Sequence, residues 1–343
     1  MSDWFYSELR ERLLLTLEEG PRGRPVAHHG CVSLSTSISS VREENQDRAI
    51  LLEIRSDRFG PARLAVVCDG MGGLQRGGDA AAEALATFVA SFASLIQARE
   101  DERLLYSLNR ANWAVFDKFN GRSGTTLTAL LMTKKGHWSI HCGDSRLYRI
   151  DRNGRANLVT RDDTLQNAIN EHAGKVSEDD LDNRLIQFVG VGEALEPHLD
   201  FYGHNNFDRW LLTTDGAHAI GRTSLEGIHR NAKNSTDFLR KIMYVADAVG
   251  TSDNATAIYV GANDLTSSSR PGLFFSVYTP KDGFEIWLPR TAAKDLVANV
   301  DRDWRHKWRR PVEHSEDELE ELPRGRGFRK DQEVLFDDGE PDS

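Results

Sequence analysis

Cysteine is scarce: Cys31, Cys68 and Cys142 are the only three in 343 residues, and none forms a CxxC pair. Neither a disulfide framework nor a structural zinc site is supported, and the expected state is three reduced thiols in a cytoplasmic protein. A basic excess is also missing. Forty-three Lys and Arg face 53 Asp and Glu, a net charge of −10, which argues against a protein that grips nucleic-acid backbone. No apolar run approaches the ~20 residues that span a bilayer. The first twenty residues carry Asp3, Glu8, Glu11, Glu18 and Glu19 and lack the basic start and apolar core of a signal peptide. No fixed-period repeat exists, which excludes solenoids. What remains is a chain with 39 % hydrophobic residues, enough to bury a full-sized core. Its acidity is concentrated in residues 311–343, which hold twelve acidic and four basic residues.

Helical spacing of Trp4, Leu9, Leu13 and Leu17 predicts an amphipathic leading helix that stops at Gly20-Pro21. A basic, turn-rich linker follows to Pro25. Alternation of apolar and small polar residues predicts a strand over Gly30–Ser40, further strands continue at Ala49–Ile54 and Arg63–Val67, and an alanine-rich run predicts a buried helix over Gly77–Leu95, with a second helix over Glu102–Phe119. Short strands return in TTLTALLMT, HWSIHCG, SRLYRI and ANLVT between Ser123 and Val159, with a Lys134-Lys135-Gly136 turn and an Asn153-Gly154 hairpin turn. Helical pieces near 164–175 and 234–249 accompany strands at 210–214 and 255–260. Strands in runs, with helices in pairs between them, predict an α+β layered sandwich. After a Ser-rich linker, LFFSVYT and GFEIWLP read as a hairpin around Lys281-Asp282-Gly283, and a short helix carries Trp304 and Trp308 on one face. Beyond Pro311 the composition is that of a mobile acidic tail.

The chemistry gathers in aspartates at the ends of apolar strands, most of them next to Gly or Asn: Asp47 in ENQD, Asp69 in AVVCDGMGG, Asp144 in CGDSR, Asp215 in LLTTDG and Asp253 in TSDN. A carboxylate at a strand end projects into a crevice, and an adjacent glycine lets a hard cation approach the backbone as well. Oxygen donors of this kind suit Mg²⁺ or Mn²⁺ better than zinc. One Asp-Gly is ordinarily a turn; the recurrence at several strand ends is what points to metal chemistry.

In order along the chain, VREENQD, VVCDGMGG, SGTTLTALL, HCGDSRLYRI, VTRDDTL, LLTTDG and SDNATAIYV resemble the motifs of the type 2C metal-dependent protein serine/threonine phosphatases, the PPM family, in its bacterial form. The likeness runs from about Ser33 to Val260. It implies a sandwich of two antiparallel β-sheets flanked by pairs of helices. It also implies two Mn²⁺ or Mg²⁺ ions, with a third in bacterial members. By that resemblance Asp69 bridges two ions, the Gly70 carbonyl adds a ligand, Asp215 and Asp253 complete the set, and Asp47 holds the second ion directly or through water. Asp144 joins Asp215 at the third ion, Arg42 grips the substrate phosphate, and Asn254 orients its neighbour. Arginine suits the phosphate role because its planar fork binds such an anion in bidentate fashion. The implied reaction is hydrolysis of phosphoserine or phosphothreonine by a hydroxide held between the metals, with no Cys, Ser or His nucleophile, and the implied partners are a phosphoprotein and its opposing serine/threonine kinase.

Three departures mark this chain. Met71 follows the first Asp-Gly pair, where eukaryotic members often carry His. Asp162-Asp163-Thr164 replaces the usual Asp-His-Ser or Asp-His-Thr. The GAHAIG stretch after Asp215 lacks the acidic residue often found there. His28, His29, His137 and His141 read as satisfied or exposed histidines, and Gly70–Gly78 lacks both GxGxxG and a GK[ST] ending. The expected organisation is a helix and linker over 1–25, a catalytic domain over 26–262, an accessory hairpin and short helix over 263–310, and the tail, which could dock a basic partner. An inactive binding or scaffold module on the same fold is the alternative; retention of Asp47, Asp69, Asp215 and Asp253 favours the enzyme.

Overall fold

A computed structural model describes residues 2–18, 27–71, 76–173, 184–203, 209–261, 265, 267 and 271–290. The leading helix α1 (Ser2–Glu18), the alanine-rich α2 (Gly77–Ser94), α3 (Glu100–Phe119) and the shorter α4 (Leu165–Ala173) form where the sequence pattern predicts them. The expected Trp304/Trp308 helix, the acidic tail and the Pro21–Pro25 linker lie outside the described residues.

All strand pairing is antiparallel and makes two sheets. One has the order β1 (Ala27–His29), β2 (Val32–Ser37), β11 (Ala255–Val260), β10 (Arg209–Thr213), β7 (Arg146–Ile150), β8 (Ala156–Leu158). The other runs β13 (Gly283–Leu288), β12 (Leu273–Tyr278), β3 (Arg48–Ser56), β4 (Ala62–Cys68), β5 (Leu127–Thr133), β6 (Gly136–Cys142), β9 (His198–Gly203). The central strands are apolar on both faces because both faces are covered. In β3 and β4, Ala49, Leu51, Ala65 and Val67 point to the core between the sheets, where they meet Leu34, Trp210, Leu212 and Ile258. Ile50, Leu52, Ile54, Leu64 and Val66 point the other way, onto α1, α2 and α3. The opposite sheet does the same, with Leu211, Ala257 and Tyr259 packed on α6 (Arg222–Arg230) and α7 (Ser235–Ala248). The sandwich of two antiparallel sheets with flanking helices is therefore the observed fold.

The hairpin expected after residue 271 forms as β12 and β13. Its β12 pairs with β3 from Leu273↔Ser56 to Tyr278↔Leu51, so it supplies the outer two strands of the seven-stranded sheet. That pairing answers what a hairpin too small to stand alone must lean on. Elements not anticipated from pattern include β1, β9, α6 and the short α5 (Asp215–His218).

Candidate active site

Antiparallel pairing sets the start of one strand beside the end of its neighbour. Arg48, first in β3, pairs with Cys68, last in β4, so Asp47 and Asp69 emerge side by side. In the other sheet Thr213, last in β10, pairs with Ala257 of β11 and with Arg146, first in β7, which brings Asp215, Asp253 and Asp144 to one rim. The two sets adjoin. Thr214 Oγ1 donates to Asp47 Oδ2 at 2.8 Å, and the hydroxyls of Thr126 and Ser145 share a 2.7 Å hydrogen bond. The aspartates that the sequence singles out thus converge at one end of the sandwich.

Backbone geometry holds them there. The Asp69 N–H donates to Thr126 Oγ1 at 2.9 Å, and its carbonyl accepts from Thr126 N–H and Thr125 Oγ1. A Cβ on Gly70 would fall 2.4 Å from the Gly77 carbonyl oxygen, and one on Gly216 would fall 2.3 Å from that of Asn254. Both glycines of the Asp-Gly pairs are required because backbone passes too close for any side chain. Asn254 ties two loops together, donating to the Glu44 carbonyl at 3.0 Å and accepting from Ser39 N–H at 3.2 Å. Residues that sequence reasoning passed over also contribute. Asn45 accepts from Asp47 N–H at 3.0 Å, and the buried Arg48 donates from Nη1 to the Asn45 and Asp47 carbonyls. Their signal was adjacency to Asp47 within ENQDR.

The carboxylates repel one another in a desolvated setting. Asp47 is 1 % exposed; burial lifts its pKa well above the ordinary range and the Asp215 and Asp253 charges add to that, against hydrogen bonds from Thr256 and Thr214. Burial likewise raises Asp69, reinforced by Asp47, Asp215, Asp144 and Asp253, and raises Asp215, reinforced by Asp253 and opposed by a hydrogen bond with Asp69. Asp144 is raised to about 7, by burial first and then by Asp215 and Asp162. Asp47 Oδ1 and Asp215 Oδ1 are buried with no hydrogen-bond partner. Such orphaned anionic oxygens call for a cation, and the all-oxygen donor set fits Mn²⁺ or Mg²⁺. Among the described residues no three His, Cys, Asp or Glu side chains stand close enough together to hold a metal ion as they are placed.

Arg42 stands at the same rim. Its Nη2 pairs with Asp253 Oδ2 at 2.5 Å and its Nε donates to the Ser252 carbonyl at 3.0 Å, with about a third of the side chain exposed. The basic group expected to face a phosphate therefore lies against one of the expected metal ligands. His137 and His141 lie in the interior of the fold; His141 is held by Thr128 Oγ1 and the Arg161 carbonyl, in keeping with a satisfied histidine.

No protein-family model matches the chain. It is 27 % identical over 269 residues to the serine/threonine protein phosphatase PstP of Mycobacterium tuberculosis, an alignment covering 74 % of this chain and 49 % of that protein, so the chain spans about half the length of that relative. It is 26 % identical over 244 residues to the serine/threonine phosphatase stp of Listeria welshimeri, covering 66 % of this chain and 94 % of the relative. Among solved structures, the PPM Ser-Thr phosphatase MsPP of Mycobacterium smegmatis, in complex with cacodylate, matches at 26 % identity and a TM-score of 0.57, over 70 % of this chain and all of that one. The catalytic domain of PstP in complex with two manganese ions has a TM-score of 0.57 at 23 % identity, over 68 % of this chain and 98 % of that one.

Proposed function

We infer that this chain is a bacterial-type PPM phosphatase, similar in fold and sequence to those relatives, and that it hydrolyses phosphoserine or phosphothreonine on a protein with Mn²⁺ or Mg²⁺ as cofactor. The observation that carries the reading is the rim of Asp47, Asp69, Asp144, Asp215 and Asp253, with buried carboxylate oxygens left without partners. Asp69, the Gly70 carbonyl, Asp215 and Asp253 would hold the bridged ions, with Asp47 at the second and Asp144 with Asp215 at a third. When bound, such ions supply positive charge against the phosphate oxygens and an acidified water as the nucleophile.

The chain's own residues supply placement. Thr214, Asn45 and Arg48 fix the Asp47 segment; Thr125 and Thr126 fix Asp69. Arg42 is the phosphate anchor, and its contact with Asp253 ties the anchor to the ligand set. Met71 leaves no histidine at that point to protonate the leaving serine or threonine oxygen. No helix among the described residues is long and apolar enough to cross a membrane. The acidic tail is a candidate docking segment for a basic partner.

Hydrolysis of a small aryl phosphate tests the reading: it should vanish in EDTA and return with Mn²⁺ or Mg²⁺. Full activity after exhaustive chelation, or none with any divalent ion, would sink it, and the latter would favour the inactive binding module.

A further inference from the structure

The Asp162-Asp163-Thr164 corner, where this chain breaks the family pattern, is built in a specific way. The Asp163 side chain is buried and uses both oxygens. Oδ2 accepts Gly143 N–H at 2.9 Å, and Oδ1 meets His198 Nε2 at 2.8 Å. The Asp163 N–H donates back to the Gly143 carbonyl at 2.8 Å, so one residue holds both backbone polar groups of Gly143. Gly143 itself has φ of +112°, and a Cβ there would lie 2.6 Å from Thr126 Cγ2. The residue that follows is Asp144. His198 comes from the edge strand β9, opposite His141 in register, with the two rings stacked at 5.9 Å. Asp162 is engaged separately, in a two-pronged pair with Arg146 at 2.9 and 2.6 Å.

We propose that Asp163, backed by His198, is a positioning residue that clamps the Gly143–Asp144 turn and so presents the Asp144 carboxylate to the rim. The inference rests on the phosphatase reading for its catalytic consequence, while the clamp can be measured without it. The charges give the clamp a reason: Asp144 is desolvated beside Asp215 and Asp162, whose like charge disfavours its carboxylate at the rim. A charge-assisted bond from a backbone N–H to a buried carboxylate is among the stronger tethers available, and His198 fixes that carboxylate as outer partners fix metal ligands. The chain lacks the usual histidine at position 163, but an imidazole returns to the corner from a different strand.

Amide hydrogen exchange on the metal-free protein, read by NMR at Gly143 relative to core amides of β5, tests the clamp directly. Asp163→Ala should speed Gly143 exchange at least ~10-fold over those amides and lower kcat on an aryl phosphate by about 10–100-fold with KM little changed. Asp163→Asn keeps an acceptor for Gly143 and should recover most of the protection. His198→Ala should fall between. Unchanged Gly143 exchange in Asp163→Ala would overturn the proposal. So would a loss that matches the drop of every core amide and is not rescued by Asn, because that is global destabilisation. If exchange responds as expected while the wild-type protein hydrolyses nothing with any divalent ion, the clamp stands and the phosphatase reading fails.

Discussion

Asp69 sits where two opposing demands meet. Its ionised form is disfavoured by burial and by four neighbouring carboxylates, yet in the bridging role proposed for it the carboxylate must be ionised to bind metal. Replacing it with the neutral isostere should therefore move stability and activity in opposite directions. Asp69→Asn is expected to lower kcat by at least ~10³, in line with losing a principal electrostatic stabiliser. In the metal-free protein it should raise Tm by about 2–4 °C per kcal/mol of repulsion relieved. A variant within tenfold of wild type in kcat would mean that the bridging role belongs elsewhere. Arg42 gives a second residue-scale expectation. As the proposed phosphate anchor it would hold ground and transition states alike, so Arg42→Ala should raise KM for a phosphopeptide more than it lowers kcat. An unchanged KM in steady-state kinetics would leave Arg42 with its Asp253 ion pair alone.

Among the elements, α1 has the most direct consequence. Phe5, Leu9 and Leu13 are each 1 % exposed against α2 and the seven-stranded sheet, and the Phe5 ring lies 5.9 Å from Phe275 and 6.3 Å from Phe284 of the terminal hairpin. Tyr6, Arg10 and Lys118 converge on the buried Glu83 of α2, and Arg12 reaches Asp282 in the hairpin turn at 2.7 Å. The two ends of the described fold are thus packed on each other. Leu9→Ala should cost about 2–5 kcal/mol, the range for emptying a leucine-sized site in a core, read from the urea midpoint at constant m-value. Aryl phosphate kcat should be unchanged, since Leu9 lies in the cluster behind the sheet and not at the aspartate rim. A loss of under ~1 kcal/mol would show α1 to be a loosely attached appendage.

For the molecule as a whole, the raised carboxyl pKa values couple stability to pH and to metal. The folded chain holds these protons more tightly than the unfolded chain, whose aspartates titrate near ~3.9. The cluster's contribution to metal-free stability is therefore fully present below that value and is lost as pH rises through the folded values, about 7 for Asp144. Bound cations compete with the same protons. The gain in Tm from saturating Mn²⁺ should accordingly grow between about pH 5.5 and pH 8. Differential scanning calorimetry across that range checks it, and a gain that is flat or shrinks with pH would contradict metal binding at these carboxylates.

Much of this was legible in the chain itself. Short, near-continuous apolar runs marked β3, β4, β5, β10 and β11, because such strands are covered on both sides and successive residues along the chain are nearly all buried. The run of small apolar residues marked α2 for a similar reason. The aspartates could be picked out because each stands beside one end of an apolar strand, Asp69 and Asp215 where a strand stops and Asp47 and Asp253 where one begins, and that is a local property. Patterns of this kind fade where burial is slight: β9 is an edge strand with a largely exposed face, and α6 fully buries only Leu225, so neither stood out. The hairpin was readable, but which edge it joins was not, since pairing with β3 depends on which backbone groups remain open after the sheet assembles. The same holds at the rim. That Asp47 and Asp69 emerge together follows from the β3–β4 register, and that Arg42 lies against Asp253, or His198 against Asp163, follows from loops meeting across strands far apart in sequence. Local periodicity is set by a residue's own burial, which the sequence carries; convergence of distant side chains is set by strand order and register, which only the tertiary structure decided.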